Sequence, residues 1–192
     1  MATMILLPDA SSGHTSHWVE NTSTHHGVLQ SDDGDTSYVA CSADGRRLVV
    51  EYANPSVSSG DIASITSVRF LSSGRHTGRS GTADVDISFL TPSAGFEETA
   101  EYDASPSSYE TINGTARTTS DGSSAWTYSD LENLSMKMVK NGSNPVRVSY
   151  LALEVTYTAA VGYGNDVIGV ASANIGSING IATANISKVN GV

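Results

Sequence analysis

Four of the five histidines fall within the first 26 residues, as His14-Thr15-Ser16-His17 and His25-His26. Imidazoles so spaced are common nitrogen donors to zinc and other transition metals. No cysteine accompanies them and the segment reads as polar surface, so no transition-metal centre is expected. Ser31-Asp32-Asp33-Gly34-Asp35-Thr36 gathers three carboxylates around a glycine, the oxygen-rich composition of a calcium loop. Asp32, Asp33 and Asp35 are therefore the cation candidates. The segment lacks EF-hand spacing and its closing Glu, and the competing reading is an acidic turn ahead of a strand at Tyr38. No cofactor is expected.

Seven acids and no base lie between Asp84 and Glu110. Glu97, Glu98, Glu101 and Asp103 are the group from which a carboxylate pair for glycoside hydrolysis would have to come. Flanked by Pro92 and Pro106, they read as a loop, where a charge cluster is ordinarily solvated. Neither a Gly-x-Ser-x-Gly elbow nor a phosphate loop nor a Cys/His nucleophile arrangement occurs, and the chain is read as non-catalytic. Tyr102, Tyr109, Trp126 and Tyr128 offer rings on which a sugar could stack. Trp126, just ahead of a predicted helix, reads as a core anchor, which leaves Tyr102 and Tyr128 as the glycan-contact candidates.

The elements that would position these groups are mostly strands. In Ala83 to Phe89, Val85, Ile87 and Phe89 alternate with Asp84, Asp86 and Ser88, the period-2 pattern of a half-buried strand. Val146 to Thr158 sets Leu151, Leu153, Val155 and Tyr157 on one face against Tyr150, Ala152, Glu154 and Thr156, and is long enough for a central strand. Arg46–Tyr52, 62–71, 109–119 and 134–140 are further strands, separated by turn signals at Asp44-Gly45, Ser73-Gly74 and Asn113-Gly114. Asn141-Gly142 with Asn144-Pro145 predicts a hairpin joining the last two strands. One short helix is predicted after Thr127, with Asp130 completing a capping box and Leu131 and Leu134 on one face. Short strands at about ten-residue spacing with one helical turn predict an all-β fold, a jelly-roll-like antiparallel β-sandwich.

The 192 residues carry 10 Lys+Arg against 20 Asp+Glu, a net charge of −10, and only 16% of residues are charged. Such a surface disfavours nucleic acid and anionic membranes. Cys41 is the single cysteine, which excludes an internal disulfide and reads as a small buried hydrophobe. The Met4-Ile5-Leu6-Leu7 run is too short and lacks the basic flank of a signal peptide, so synthesis in the cytoplasm without one is expected.

From Ala159 the chain turns apolar and Gly-rich. Asn174-Ile175-Gly176-Ser177-Ile178-Asn179-Gly180-Ile181 is echoed eleven residues on by Asn185-Ile186-Ser187-Lys188-Val189-Asn190-Gly191-Val192. An eleven-residue period can specify a right-handed helical supercoil, but Gly, Asn and β-branched residues in every unit oppose a helix. Extended segments broken at Asn-Gly turns are predicted instead. Ile175, Ile178, Ile181, Ile186, Val189 and Val192 would then be the contacts of an assembly arm, either a symmetric stalk such as a trimer or a docking segment. The chain divides into a polar segment (1–30), a β-sandwich (31–158) and this arm (159–192).

The sequence also resembles small structural proteins of tailed bacteriophages. The residues that carry the resemblance are 33–39 (DGDTSYV), 107–111 (SSYET), 126–131 (WTYSDL), the strand 147–157 and the terminal repeat. The resemblance implies a virion component such as a capsid decoration, head-fibre or tail-associated protein, a homo-oligomer contacting other virion proteins at the particle surface, with no catalytic residues. A carbohydrate-binding module that attaches to a host glycan is the alternative.

Overall fold

The computed structural model describes residues 1–12, 17–78, 82–90, 95–103, 108–160, 177–178 and 181–182. They form an antiparallel β-sandwich with one short α-helix, as the sequence predicts. In chain order the strands are β1 (Ala2–Leu6), β2 (Pro8–Ser12), β3 (Trp18–Glu20), β4 (Val39–Cys41), β5 (Arg46–Tyr52), β6 (Ile62–His76), β7 (Thr82–Leu90), β8 (Gly95–Asp103) and β9 (Glu110–Asn113). Helix α1 (Tyr128–Glu132) follows, then β10 (Ser135–Asn141), β11 (Val146–Ala159), β12 (Ser177–Ile178) and β13 (Ile181–Ala182). One sheet runs β3-β4-β11-β6-β9, with β1 also paired to β11; the other runs β2-β5-β10-β7-β8.

The division at residue 30 has no counterpart in the fold. β1 pairs with β11 from Ala2↔Tyr157 to Leu6↔Leu153, and its alternate residues Met4 and Leu6 are buried. At Leu7-Pro8 the chain changes sheet, and β2 becomes the neighbour of β5. β1 supplies Met4 and Leu6 to the core, and β2 lies along β5 at the edge of the other sheet.

β11 is the central strand its length predicted. β6 pairs along it from Val146↔His76 to Ala159↔Ile62, and Leu151, Leu153 and Val155 are fully buried. β6 runs five residues beyond the predicted end at Leu71, through Ser73-Gly74, which is not a turn. The reason is that its polar residues are satisfied in place. Ser72 shares a hydrogen bond with the Tyr102 hydroxyl and donates to the Tyr150 carbonyl at 3.2 Å. At Gly74 an added Cβ would lie 2.7 Å from the Tyr102 ring, so only glycine lets that ring close over the strand. Between the sheets Phe70 and Phe89 meet at 6.3 Å between centroids.

Asn141-Gly142 does turn the chain, with Gly142 at φ +72°, but it makes no hairpin. β10 belongs to the five-stranded sheet and β11 to the six-stranded one, so the connection is a corner of the sandwich. Lys140, fully buried at its base, donates to the carbonyls of Asn141 and Gly142, and the Gly142 amide donates to Asp44 Oδ1 at 2.7 Å. Burial lowers the pKa of this ammonium.

Helix α1 starts where predicted. Asp130 N donates to Thr127 Oγ1 at 3.1 Å and Thr127 N donates to Asp130 Oδ2 at 2.8 Å, a complete capping box. Leu131 and Leu134 are buried under it, and Trp126 is a core anchor whose Nε1 donates to the Arg117 carbonyl at 2.8 Å. Thr127→Ala is expected to lower stability by about 1 kcal/mol in urea unfolding; an unchanged midpoint would show that the cap contributes nothing. Cys41 is buried, and desolvation raises its pKa.

Candidate functional site

Register brings together a group of charged and aromatic residues on the outer face of the six-stranded sheet. Arg147 on β11 lies opposite Arg75 on β6 and Ala40 on β4, and Ala40 lies opposite Val19 on β3. The neighbouring row, Trp18, Cys41, Val146 and His76, points into the core and is buried throughout, which puts Val19, Ala40, Arg147 and Arg75 on the outside. Like charges directly opposite repel, and here a carboxylate resolves the conflict. Asp35 reaches across from the 31–38 loop and accepts from Arg75 Nη2 and Arg147 Nη1, both at 2.8 Å.

Two rings complete the group. The Arg75 guanidinium lies 5.4 Å from the Tyr109 centroid, and that of Arg147 lies 4.3 Å from the Tyr38 centroid, both within cation–π reach. The Tyr109 hydroxyl donates to Asp35 Oδ1 at 3.1 Å. Burial, helped by that carboxylate, pushes the Tyr109 phenol up to about 12. For Asp35 itself burial works upward, but hydrogen bonds from Arg147, Tyr109 and Arg75 outweigh it and hold the carboxyl below its ordinary 3.8. A depressed folded-state pKa stabilises the fold above the unfolded value and ceases to do so as pH falls through the folded one. Asp35→Asn is therefore expected to lower stability at pH 7, the gap to the parent closing as pH falls from about 4 downward; a gap independent of pH would contradict this role.

Asp35 faces two guanidiniums, and both Asp33 carboxylate oxygens accept from the Ser37 hydroxyl, at 2.8 and 2.9 Å, across a turn with Gly34 at φ +65°. Asp32 is exposed. Asp33, through Ser37, closes the turn that delivers Asp35. Among the described residues no three His, Cys, Asp or Glu side chains group as a metal site requires. His25 Nε2 donates to the Trp18 carbonyl at 2.7 Å and meets Glu20 at 3.1 Å, His26 sits between Ser11 and Thr24, and His17 is exposed. His14 lies outside the described residues.

The acidic stretch around residue 100 is a strand, not a loop. β8 pairs with β7 along its full length, and Glu98 stands opposite the buried Ile87 on the core side. Its carboxylate takes the Arg117 guanidinium on one oxygen and the Thr115 amide, at 2.8 Å, on the other. A paired, inward carboxylate serves architecture. Glu101 is exposed, opposite Asp84 in the register; Glu97 and Asp103 are placed by backbone alone.

Of the two glycan-contact candidates, Tyr102 is fully buried and presents no face to a saccharide. Tyr128 is half-buried in α1, its hydroxyl donating to the Val57 carbonyl at 3.1 Å. The assembly-arm residues Ile175, Ile186, Val189 and Val192 lie outside the described residues. Ile178 and Ile181 are the cross-strand pair of β12 and β13.

No protein-family model matches the chain, and no curated protein matches it in sequence. Solved structures resemble it in architecture. A family 11 carbohydrate-binding module from Clostridium thermocellum, solved with a β-1,3-1,4-mixed-linked tetrasaccharide, shares 13% identity over 79% of this chain and 87% of its own, with a TM-score of 0.40. A xylan-binding domain from Paenibacillus barcinonensis shares 12% over 80% and 98%, at 0.38. A family 29 carbohydrate-binding module from Piromyces equi shares 12% over 80% and 91%, at 0.36. The likeness is one of fold.

The Asp35 group was not foreseen as a unit. Its members are 35, 38, 75, 109 and 147 in the sequence, and only the β6–β11 register juxtaposes the arginines. The sequence singles out Asp35 as a cation candidate and Tyr109 among the rings, neither as part of this group.

Proposed function

We propose that the chain is a non-catalytic structural component of a virion, a capsid decoration, head-fibre or tail protein, that assembles through its C-terminal arm and displays the sandwich at the particle surface. The observation that carries this reading is the β12–β13 pair. Ser177↔Ala182 and Ile178↔Ile181 pair antiparallel on either side of Asn179-Gly180, the turn signal that recurs as Asn190-Gly191 in the next repeat. An isolated two-stranded hairpin is marginal in water. A series of such units, apolar at Ile175, Ile178, Ile181, Ile186, Val189 and Val192, gains stability by stacking on neighbours, and other copies of the same chain supply them.

The sandwich supports the same reading by what its reactive groups do. Glu98 is tied to Arg117, Asp35 to Arg75 and Arg147, and Tyr102 is in the core. Imaging particles assembled with the full chain and with a chain lacking residues 165–192 tests the proposal. Density for the sandwich is expected on the first and not on the second; equal density on both would overturn attachment through the arm.

A further inference from the structure

We propose that the open end of the Val19–Ala40–Arg147 row is a binding cleft for a carboxylated sugar residue, with Arg147 as the group that recognises the carboxylate. This goes beyond a structural role and uses a different part of the chain from the assembly arm.

A cleft of about 240 Å³ opens beside β3, β4 and the start of β11. Val19 and Pro145 supply its apolar wall, His17, Ser42 and Thr77 its polar groups, and Arg147 its charge. Val19 is 56% exposed, an apolar side chain presented to solvent where a sheet face would ordinarily carry a polar one. The Arg147 guanidinium is held on two sides, by Asp35 at 2.8 Å and by the Tyr38 ring at 4.3 Å, so its orientation is fixed before a ligand arrives. Its side chain keeps 31% of its exposure, and Asp35 engages only one of its nitrogens. The remaining donors form the planar fork that suits a carboxylate.

Arg147 supplies the positive charge on the cleft wall and keeps donors that Asp35 does not engage. The volume admits one ring-sized group rather than a length of peptide. Hydroxyls on Ser42 and Thr77 and a short apolar wall match a pyranose, whose edges are hydroxylated and whose faces are C–H. An acidic peptide side chain would satisfy Arg147 and leave those hydroxyls unused.

Calorimetric or NMR titration of the full chain with methyl β-D-glucuronide, methyl β-D-glucoside and blocked aspartate (N-acetyl-aspartate amide) tests the proposal. The glucuronide is expected to bind in the millimolar range, at least tenfold more tightly than either comparison compound, and to weaken severalfold between low and 0.5 M salt. Arg147→Gln should reduce glucuronide affinity at least tenfold. Because that change also removes a partner of Asp35, Val19→Glu is the companion variant: it places a negative charge at the exposed rim without touching the ion group, and should likewise abolish binding with the fold intact by circular dichroism. Equal binding of glucuronide and glucoside, or parent-like binding by Val19→Glu, would overturn the site. Preference for the blocked aspartate would overturn its assignment to a saccharide.

Discussion

Tyr102→Ala is expected to destabilise the sandwich by about 3–5 kcal/mol, the range for removing a large buried aromatic side chain. The ring is fully buried on β8, closes over Gly74 of β6, and shares its hydroxyl with Ser72. It therefore joins the edge of one sheet to the centre of the other. Truncation leaves a cavity that the Gly74 backbone cannot fill. Burial raises the phenol's pKa, the mark of a group that must stay neutral there. Tyr102→Phe, which keeps the ring and removes only the hydroxyl, should cost about 1 kcal/mol. Urea unfolding of the three proteins measures both differences, and a Tyr102→Ala variant within 1 kcal/mol of the parent would contradict this packing.

Glu98→Ala is the second large effect, at about 3 kcal/mol. Glu98 is 16% exposed and Arg117 is 30% exposed, so the pair is screened less than a surface ion pair. Removing the carboxylate takes an acceptor from a part-buried guanidinium and from the Thr115 amide together. The backbone of Arg117 exchanges two hydrogen bonds with Val68, at 2.9 and 2.8 Å, and its carbonyl receives Trp126. The loss should spread to the 114–126 segment, with Trp126 fluorescence shifting before global unfolding. Glu98→Gln, which can still accept from Thr115, should lose clearly less. Equal losses in the two variants would show that the Thr115 hydrogen bond contributes nothing and that the whole effect lies in the charge paired with Arg117.

The residues that were legible in the sequence are those whose neighbours agree with them. Val85, Ile87 and Phe89 alternate with polar residues, and β7 forms around them; β5 has the predicted bounds Arg46–Tyr52, and the Thr127/Asp130 box starts α1. Where local chemistry and long-range pairing disagree, pairing prevailed. Ser72-Ser73-Gly74 has turn composition, but β11 on one side and Tyr102 above hold it extended. Glu97, Glu98 and Glu101 have loop composition, but β7 pairs with the whole of β8 and Arg117 receives Glu98. Asn141-Gly142 signals a turn equally well whether the flanking strands pair or part, so a sandwich corner could not be told from a hairpin. The Asp35 group depends on a register between residues more than seventy positions apart, which no local pattern encodes.

Light scattering of the purified full chain beside a chain lacking residues 165–192 tests assembly through the C-terminal arm. The full chain should run as a discrete oligomer, and the shortened one as a monomer of unchanged circular dichroism spectrum, because the paired sheets of residues 1–160 carry their own core. A full chain that is itself monomeric, or a shortened chain that keeps the same oligomeric mass, would contradict assembly through the repeat.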